Sequence, residues 1–192
     1  DIELLCSVGY IGMVETIKIA FVATILGFIG ALSLSSFAAK NLMPMPIAVV
    51  FRILLSAIRS LPSLIWAIIF VIVIGVGPLA GVLAMTFYTV GYLGKLQYEA
   101  FEGMPSDSLE VSKAMGISHP TIFTSVVIPE TGNHLLSQLM FMFEYNVRHG
   151  TVIGLVGAGG IGFYINTYLK LLQYDKVLAL LILIFVVVII ID

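Results

Sequence analysis

Residues 110–129 read EVSKAMGISHPTIFTSVVIP, a polar and helix-breaking stretch inside a chain that otherwise consists largely of hydrocarbon side chains. Asp107 precedes this stretch and is followed three residues later by Glu110, the spacing of an N-cap and its reciprocal partner. A short helix should therefore begin just after Asp107. Gly116 tolerates the left-handed backbone that ends many helices, so the helix should stop there.

A second short helix is expected after this glycine. Ser118 can act as its N-cap, and Pro120 is tolerated in a first helical turn. Pro129 should close it, because proline interrupts the backbone hydrogen bonds of a helix interior. The stretch thus predicts two short helices hinged at Gly116.

The composition places the rest of the chain in a membrane. Hydrophobic residues make up 60% of the 192 residues and charged residues only 10%, whereas soluble domains carry roughly a quarter charged residues. The mean hydropathy is +1.12. A net charge of -2 offers no surface for a polyanion, so nucleic acid is not expected as a partner.

The apolar runs predict about five membrane spans, each helical because lipid offers the backbone no other hydrogen-bond partners. The last run has about fifteen residues, which is short for a bilayer, and we expect the sequence to be a segment of a longer protein. The expected spans and interfacial segments are residues 11–39, 47–60 with 62–76, 82–94, 134–153, 163–174 and 177–191.

Two arginines precede the proline that should kink the second span. Arg52 and Arg59 are seven residues apart and should share a helix face before Pro62. Anchoring at the membrane surface and gating of a pathway both remain open for them.

The span at residues 134–153 is unusually polar. Charged residues inside a span are costly enough to suggest a function. Glu144 and Arg148 stand at i, i+4 in the favourable order, so they can neutralise each other on one helix. The polar residues of this span include Gln138, Glu144, Asn146, Arg148 and His149.

A glycine-rich segment, GLVGAGGIG at residues 154–162, follows the polar span. Gly157, Gly159 and Gly162 match the dinucleotide fingerprint GxGxxG, but that fingerprint needs a preceding strand in a soluble βαβ unit. We reject it here because the preceding residues are typical of a membrane helix. The segment instead predicts a tight bend where helices approach closely or where bare amides line a cavity.

The loop described first carries a family pattern. The pattern is E-V-S, then three residues, Gly116, nine residues and V-x-I-P. It resembles the cytoplasmic loop of permease subunits of ATP-binding-cassette importers, whose pattern is E-A-A, three residues, Gly, nine residues and I-x-L-P. Glu110, Gly116 and Pro129 stand at the family's positions. The substitutions are Val111, Ser112, Val126 and Ile128.

A second resemblance covers nearly the whole chain. The permeases of phosphonate importers, a group with phosphite and phosphate relatives, are similar in the segments AAKNLMP, AIRSLPSLIWA, GPLAGVLA, LGKLQYEAFEG, FEYNVRHGTVIGLVGAGGIGF and LLQYD. Methionine importer permeases share the RS-x-P and GAGG-[IL]-G features and remain the alternative. The resemblance implies translocation of a phosphonate or related phosphorus oxyanion.

The resemblance implies an all-α, polytopic membrane protein with a cytoplasmic two-helix coupling loop at about residues 103–131 and a glycine-rich bend before the last span. Residues 1–192 are expected to form a single transmembrane permease domain of the bacterial cytoplasmic (inner) membrane. The loop would dock into a groove of a separate ATPase. Its expected coupling residues are Glu110, Val111, Lys113, Ala114, Met115, Gly116 and Pro129.

Within the loop, Val111, Ala114 and Met115 would form a small apolar face, which leaves Glu110 and Lys113 available for polar contacts. The sequence contains no Walker A pattern, so no cofactor is expected in this chain. ATP and Mg would be bound by the partner ATPase. The implied partners are a second permease copy in a homodimer, two ATPase subunits, a periplasmic or lipid-anchored solute-binding protein and the lipid bilayer.

The solute route needs cationic or amide donors, because a dianion must cross a span of low dielectric constant. The candidates are Asn146, Arg148, His149, Gly157, Gly159 and Gly160. An ion pair of Glu144 with Arg148 that only fixes helix packing is an equal alternative.

An intramembrane enzyme is the second class of function. His134 with Ser137, or Glu144 with His149, could begin a catalytic arrangement. Neither pair has a third group that would complete a nucleophile, base and orienter set, so we place no catalytic residue.

Overall fold

The computed structural model describes residues 5–191, with side chains from Ser7 onward, so the single-domain expectation for residues 1–192 extends beyond the described range. Within this range the chain is helical and contains no strand. The helices are α1 (Tyr10–Ala38), α2 (Met45–Ser60), α3 (Ser63–Ile74), α4 (Pro78–Glu102), α5 (Ser106–Ala114), α6 (His119–Ile122), α7 (Ile128–Gly154), α8 (Ile161–Lys170) and α9 (Tyr174–Ile191). Two π-helical turns, Leu5–Gly9 and Phe123–Val127, precede α1 and α7.

Among the described helices, α1 with the turn before it, α4 and α9 are long and apolar enough to cross a membrane. Helices α2 and α3 could form one further span, bent by 84° at the break before α3. Pro62 lies at that break and is the N-cap of α3. An expected count of about five spans also needs α7, whose polar residues lower its hydropathy, so the count stays a prediction.

Small side chains form the contact between α1 and α4. A carbon added at Gly27 would lie 2.4 Å from Cγ2 of Thr89, so the two backbones approach more closely than a larger residue allows. Gly94 of α4 faces Leu55 of α2 in the same way. Small buried residues follow one another along α1, most of them three or four positions apart: Gly12, Thr16, Ala20, Ala23, Thr24, Gly27, Ala31, Ser35, Ser36 and Ala38.

A separate hydrophobic cluster lies under the predicted coupling loop. It joins the end of α1, the end of α4, the two short helices and the start of α7. Its fully buried centre includes Phe101. The rings of Phe101 and Phe123 pack edge to face with 5.5 Å between their centroids. The buried members are Ala39, Phe101, Met104, Leu109, Ile122, Val127 and Leu135.

The predicted start of the first short helix is wrong. Helix α5 begins at Ser106 with Pro105 as its N-cap, and no side chain caps it. Asp107 therefore lies in the first turn, where its charge still favours the positive end of the helix dipole. Glu110 has no capping role, because the fixed backbone angle of Pro105 starts the helix two residues earlier.

The predicted stop at Pro129 is also wrong. Helix α6 begins after Ser118 as expected, but the chain continues through the π-helical turn Phe123–Val127 into α7 without a break. Pro129 sits in the first turn of α7, where its missing N–H is tolerated. The π-helical turn just before it has a different hydrogen-bond pattern from the α-helix, so the α-helical hydrogen bonds that a proline would disrupt are not formed there.

Replacing Gly27 by Ala should destabilise the fold, because the new carbon would lie 2.4 Å from a side-chain atom of Thr89. Thr89 is fully buried and its hydroxyl accepts a hydrogen bond from Asn146, so it has little freedom to move. We expect a loss of about 1–3 kcal/mol, seen as a lower unfolding midpoint of the detergent-purified protein.

The matched control is Gly132→Ala in α7, where nothing lies within 4 Å of the added carbon. It should leave the midpoint unchanged or raise it, since alanine favours a helix. An unchanged midpoint for Gly27→Ala would mean that α1 and α4 are not packed this closely.

Candidate functional site

Helix α5 has one buried and one exposed face. The buried face, which packs into the cluster under the loop, consists of Leu109 and Ser112. The exposed face consists of Glu110, Val111, Ala114 and Met115. Val111 and Met115 are 59% and 72% exposed, so the predicted apolar strip lies on the surface and is not covered by this chain. A short apolar strip of this kind fits a groove in another protein.

Gly116 ends α5 in a Schellman turn. Its φ is +71°, its amide donates to the carbonyl of Lys113 at 3.0 Å, and the amide of Ile117 donates to that of Ser112 at 3.3 Å. Nothing lies within 4 Å of the position that a side-chain carbon would take. Glycine is therefore required by the backbone conformation and not by crowding.

Lys113 is used within the chain. Its ammonium group donates to the carbonyl oxygen of Asn41, in the turn between α1 and α2. The side-chain amide of Asn41 donates in turn to the carbonyl of Phe101 at 2.7 Å. Lys113 and Glu110 are both exposed, so their predicted contacts to a partner stay a prediction. Lys113 connects α5 to the turn beside it.

Arg52 lies at a junction that the sequence did not indicate. Its guanidinium forms an ion pair with Glu102, donates to the carbonyl of Ala38 at 2.9 Å and lies 4.4 Å above the ring of Tyr98. Glu102 also accepts a hydrogen bond of 2.7 Å from the amide of Lys40. Arg52 therefore ties α2 to the ends of α1 and α4 near the loop. Its carboxylate partner is fifty residues away, so helical spacing carried no signal for the pair.

His119 begins α6 next to this junction. Its ring stacks against Phe37 with 6.3 Å between ring centroids, and its buried Nε2 has no hydrogen-bond partner among the described residues. Burial, with a smaller contribution from the positive charge of Lys113, lowers the pKa of His119. The neutral form of the imidazole is therefore favoured beside the end of α1.

Asn146 does not lie on an open surface. Only 1% of it is exposed, and its Nδ2 donates to Thr24 Oγ1 at 2.9 Å and to Thr89 Oγ1 at 3.0 Å. These bonds join α7 to α1 and α4. Asn146 is thus a packing residue here, and the structure does not group it with the other candidates for a solute route.

Arg148 and His149 lie on a different, partly exposed face of α7. Arg148 forms an ion pair with Glu144, as their spacing predicted. The ring of His149 stacks on Tyr145 with 3.8 Å between centroids, and Tyr145 stacks on Tyr88 of α4 with 2.9 Å between their hydroxyl oxygens. A polar aromatic stack therefore runs beside the ion pair, along helices long enough to enter a bilayer.

The glycine-rich bend packs against the opposite end of α1 from the loop. Gly157, Gly159 and Gly160 have φ values of +94°, +82° and +73°, which side chains rarely adopt. A carbon added at Gly160 would lie 2.5 Å from Oγ1 of Thr16, the hydroxyl that accepts the amide of Ile161 at 2.9 Å. The bend is thus built on close backbone contact, as predicted for helices that approach closely.

One of the predicted anion donors of the bend already has a partner within the chain, while Gly159 and Gly160 as donors stay a prediction. The amide of Gly157 already donates to the carbonyl of Gly154 at 3.0 Å. The cavity beside the bend measures about 220 Å³ and contains the carboxylate of Glu15, which would repel an anion. Its lining residues are Glu15, Val76, Gly77, Pro78, Gly157, Gly159, Gly160, Phe163 and Tyr164.

The pairs considered for an intramembrane enzyme are engaged elsewhere. The hydroxyl of Ser137 donates to the carbonyl of Asn133 at 2.9 Å, and His134 lines a different cavity, of about 350 Å³, with Glu130. Glu144 pairs with Arg148, and His149 contacts Tyr145. Neither pair is joined by a hydrogen bond in the structure.

Comparison with known proteins identifies a family. The family described as "Binding-protein-dependent transport system inner membrane component" matches residues 31–192. The chain is 36% identical over 181 residues to the phosphite transport system permease protein PtxC of Stutzerimonas stutzeri, covering 94% of this chain and 66% of that protein. It is 32% identical over 176 residues to the phosphate-import permease protein PhnE of Mycolicibacterium smegmatis, covering 91% of this chain and 33% of that protein.

The chain therefore spans about two thirds of the phosphite permease and one third of the phosphate permease. The fold is also similar to that of a chain in inward-facing structures of the MetNI methionine ABC transporter, with a TM-score of 0.84, 21% identity and coverage of 98% of this chain and 93% of that one. At this identity the likeness shows the fold.

Removing the junction at Arg52 should loosen the loop end of the protein. We expect Arg52→Ala to lower the free energy of unfolding by about 1–3 kcal/mol, because Glu102 loses its charged partner while partly buried. Thermal unfolding of the variants Arg52→Ala, Glu102→Gln and the double variant would measure this as a double-mutant cycle.

The control is Lys95→Ala, which removes the more exposed ion pair to Glu99 at 3.5 Å. It should change stability by less than about 0.5 kcal/mol. If the stability losses of Arg52→Ala and Glu102→Gln simply add in the double variant, the two side chains do not stabilise each other and the proposed junction is contradicted.

Proposed function

Because the chain belongs to the family of binding-protein-dependent transport system inner membrane components, we propose that it is the permease subunit of an ATP-binding-cassette importer for a phosphonate or a related phosphorus oxyanion, such as phosphite or phosphate. The observation that carries this proposal is the match over most of the chain to permeases named for phosphite transport and phosphate import. It also favours a transporter subunit over an intramembrane enzyme.

The coupling contact is the exposed strip of α5. Val111, Ala114 and Met115 supply the apolar surface, with Glu110 beside them for a polar contact. Because Leu109 and the rest of the buried face are packed into the cluster under the loop, movement of α5 is passed to the ends of α1 and α4. ATP and Mg are bound and used by a partner ATPase, which docks on this strip.

The complete importer contains two copies of this chain, two ATPase subunits and a solute-binding protein, in the bacterial cytoplasmic membrane. The solute passes along the partly exposed face of α7 that carries Arg148 and His149. The guanidinium attracts the anion and Glu144 weakens the attraction, so that the solute can leave again. The rings of Tyr88 and Tyr145 are stacked, and their hydroxyl groups offer further hydrogen bonds along this face.

Replacing Gly116 by Val should weaken docking of the ATPase. A β-branched residue at φ +71° is strained by about 1–2 kcal/mol, which corresponds to about tenfold weaker association if the docked conformation needs this turn. The measurement is co-purification of the ATPase with the permease and the rate of ATP hydrolysis by the complex.

Gly103→Val is the matched control, because Gly103 also lies beside α5 but has an ordinary φ of -80°. It should retain the ATPase. Wild-type docking by Gly116→Val would show that the loop is not the coupling element. If no ATPase binds the unaltered protein, the proposed function itself is wrong.

Neutralising Arg148 should separate transport from ATP hydrolysis. We expect Arg148→Gln to lower uptake of the phosphorus oxyanion at least about tenfold, since a charge contact to the solute is lost, and Arg148→Lys to restore part of it. Stimulation of the ATPase should persist, because Arg148 is distant in sequence and fold from α5.

Lys95→Gln breaks a similar i, i+4 ion pair and should leave uptake unchanged. Unaltered uptake by Arg148→Gln would contradict the proposal that Arg148 contacts the solute during transport. Uptake assays should compare phosphonate, phosphite and phosphate with methionine, and preferential uptake of methionine would contradict the proposed substrate class.

A further inference from the structure

Glu15 lies in a cavity, and its charge has no partner among the residues that the structure describes. It is half-buried in the first turns of α1, and no described residue forms a hydrogen bond or ion pair with its carboxylate. Lys18, three residues further along the helix, is exposed and does not pair with it. A partly buried carboxylate loses hydration without compensation, so a cation in this cavity would be stabilised.

The cavity is built before any ligand arrives. The amide of Gly77 donates to the carbonyl of Gly157 at 3.0 Å, which joins the start of α4 to the glycine-rich bend. At Gly159 an added carbon would lie 2.9 Å from Pro78 and 3.3 Å from the Glu15 carboxylate, so only glycine leaves this space open. A cavity whose walls are already joined in this way needs less ordering when a ligand binds, which lowers the entropy cost of binding.

The chemistry of the walls selects an organic cation. Phe163 and Tyr164 stand edge to face with 5.9 Å between their centroids and line the cavity opposite the carboxylate. Aromatic faces beside a carboxylate favour an ammonium or guanidinium group. An anionic solute is disfavoured by the charge, and the described residues hold no cluster of three or more metal-ligating side chains. A volume of about 220 Å³ admits the end of a lysine or arginine side chain.

The cavity opens at the end of the molecule away from the coupling loop. Twenty-three residues of α1 separate Glu15 from Ala38 at the loop end, or about 35 Å of helix, which exceeds the thickness of a hydrocarbon core. In a binding-protein-dependent system, the soluble binding protein must meet the membrane component on the side opposite the ATPase. The cavity therefore lies where that protein docks.

We propose that this cavity is a docking site for the solute-binding protein and that Glu15 pairs there with a lysine or arginine side chain of that protein, beside the rings of Phe163 and Tyr164. The inference rests on the proposed function. The docking surface then consists of one carboxylate in a cavity lined by aromatic side chains and glycines.

The test measures affinity of the fluorescently labelled binding protein for the permease–ATPase complex in nanodiscs of phosphatidylglycerol, which has no amine headgroup. Glu15→Gln should weaken binding about tenfold and reduce its dependence on salt concentration. Phe163→Leu, which keeps the carboxylate but removes an aromatic wall, should weaken binding about threefold. Lys18→Gln is the control for charge change at the same surface and should not weaken binding.

Wild-type affinity and salt dependence in Glu15→Gln would overturn the docking site. A difference between wild type and Glu15→Gln that needs phosphatidylethanolamine in the disc would assign the cation to a lipid and would also overturn it. If the unaltered complex binds its ATPase but Glu15→Gln binds the binding protein normally, only this inference fails. If the unaltered permease binds neither protein, the proposed function fails with it.

Discussion

Close contact between the backbones of α1 and α4 is the constraint on which the other features of the molecule depend. Lipid is as apolar as the side chains of these helices, so hydrophobic burial does not choose which faces meet. Gly27 against Thr89 allows the approach, and Asn146 then bonds to Thr24 and Thr89 across three helices. Steric fit and a few buried hydrogen bonds thus orient helices whose surfaces are otherwise alike.

The same helix pair connects the two ends of the protein. At one end, α1 and α4 support the cluster under α5 and the junction of Arg52 with Glu102. At the other, they hold the glycine-rich bend and the cavity of Glu15. Under the proposed function, this helix pair would be the physical connection between a contact at one face of the membrane and the arrangement at the other.

Features that depend on neighbouring residues were the ones most accessible from the sequence. The left-handed turn at Gly116, the break at Pro62 and the ion pair of Glu144 with Arg148 all follow from local geometry. The errors at Asp107 and Pro129 have a common origin. A proline at the N-cap moved the start of α5, and a π-helical turn carried the chain through a proline that a regular helix would not tolerate.

The sequence by itself determined that the chain is helical and membrane-bound and which loop carries the family pattern, because hydropathy and glycine spacing are properties of short segments. Only the tertiary structure decided that Arg52 pairs with Glu102, that Lys113 bonds to Asn41 and that Asn146 is buried. It also decided that Glu15 lies in a cavity with no ion-pair partner among the described residues. These contacts depend on how each helix is rotated about its axis. A helix that is apolar on all sides leaves no periodic trace of that rotation in its sequence.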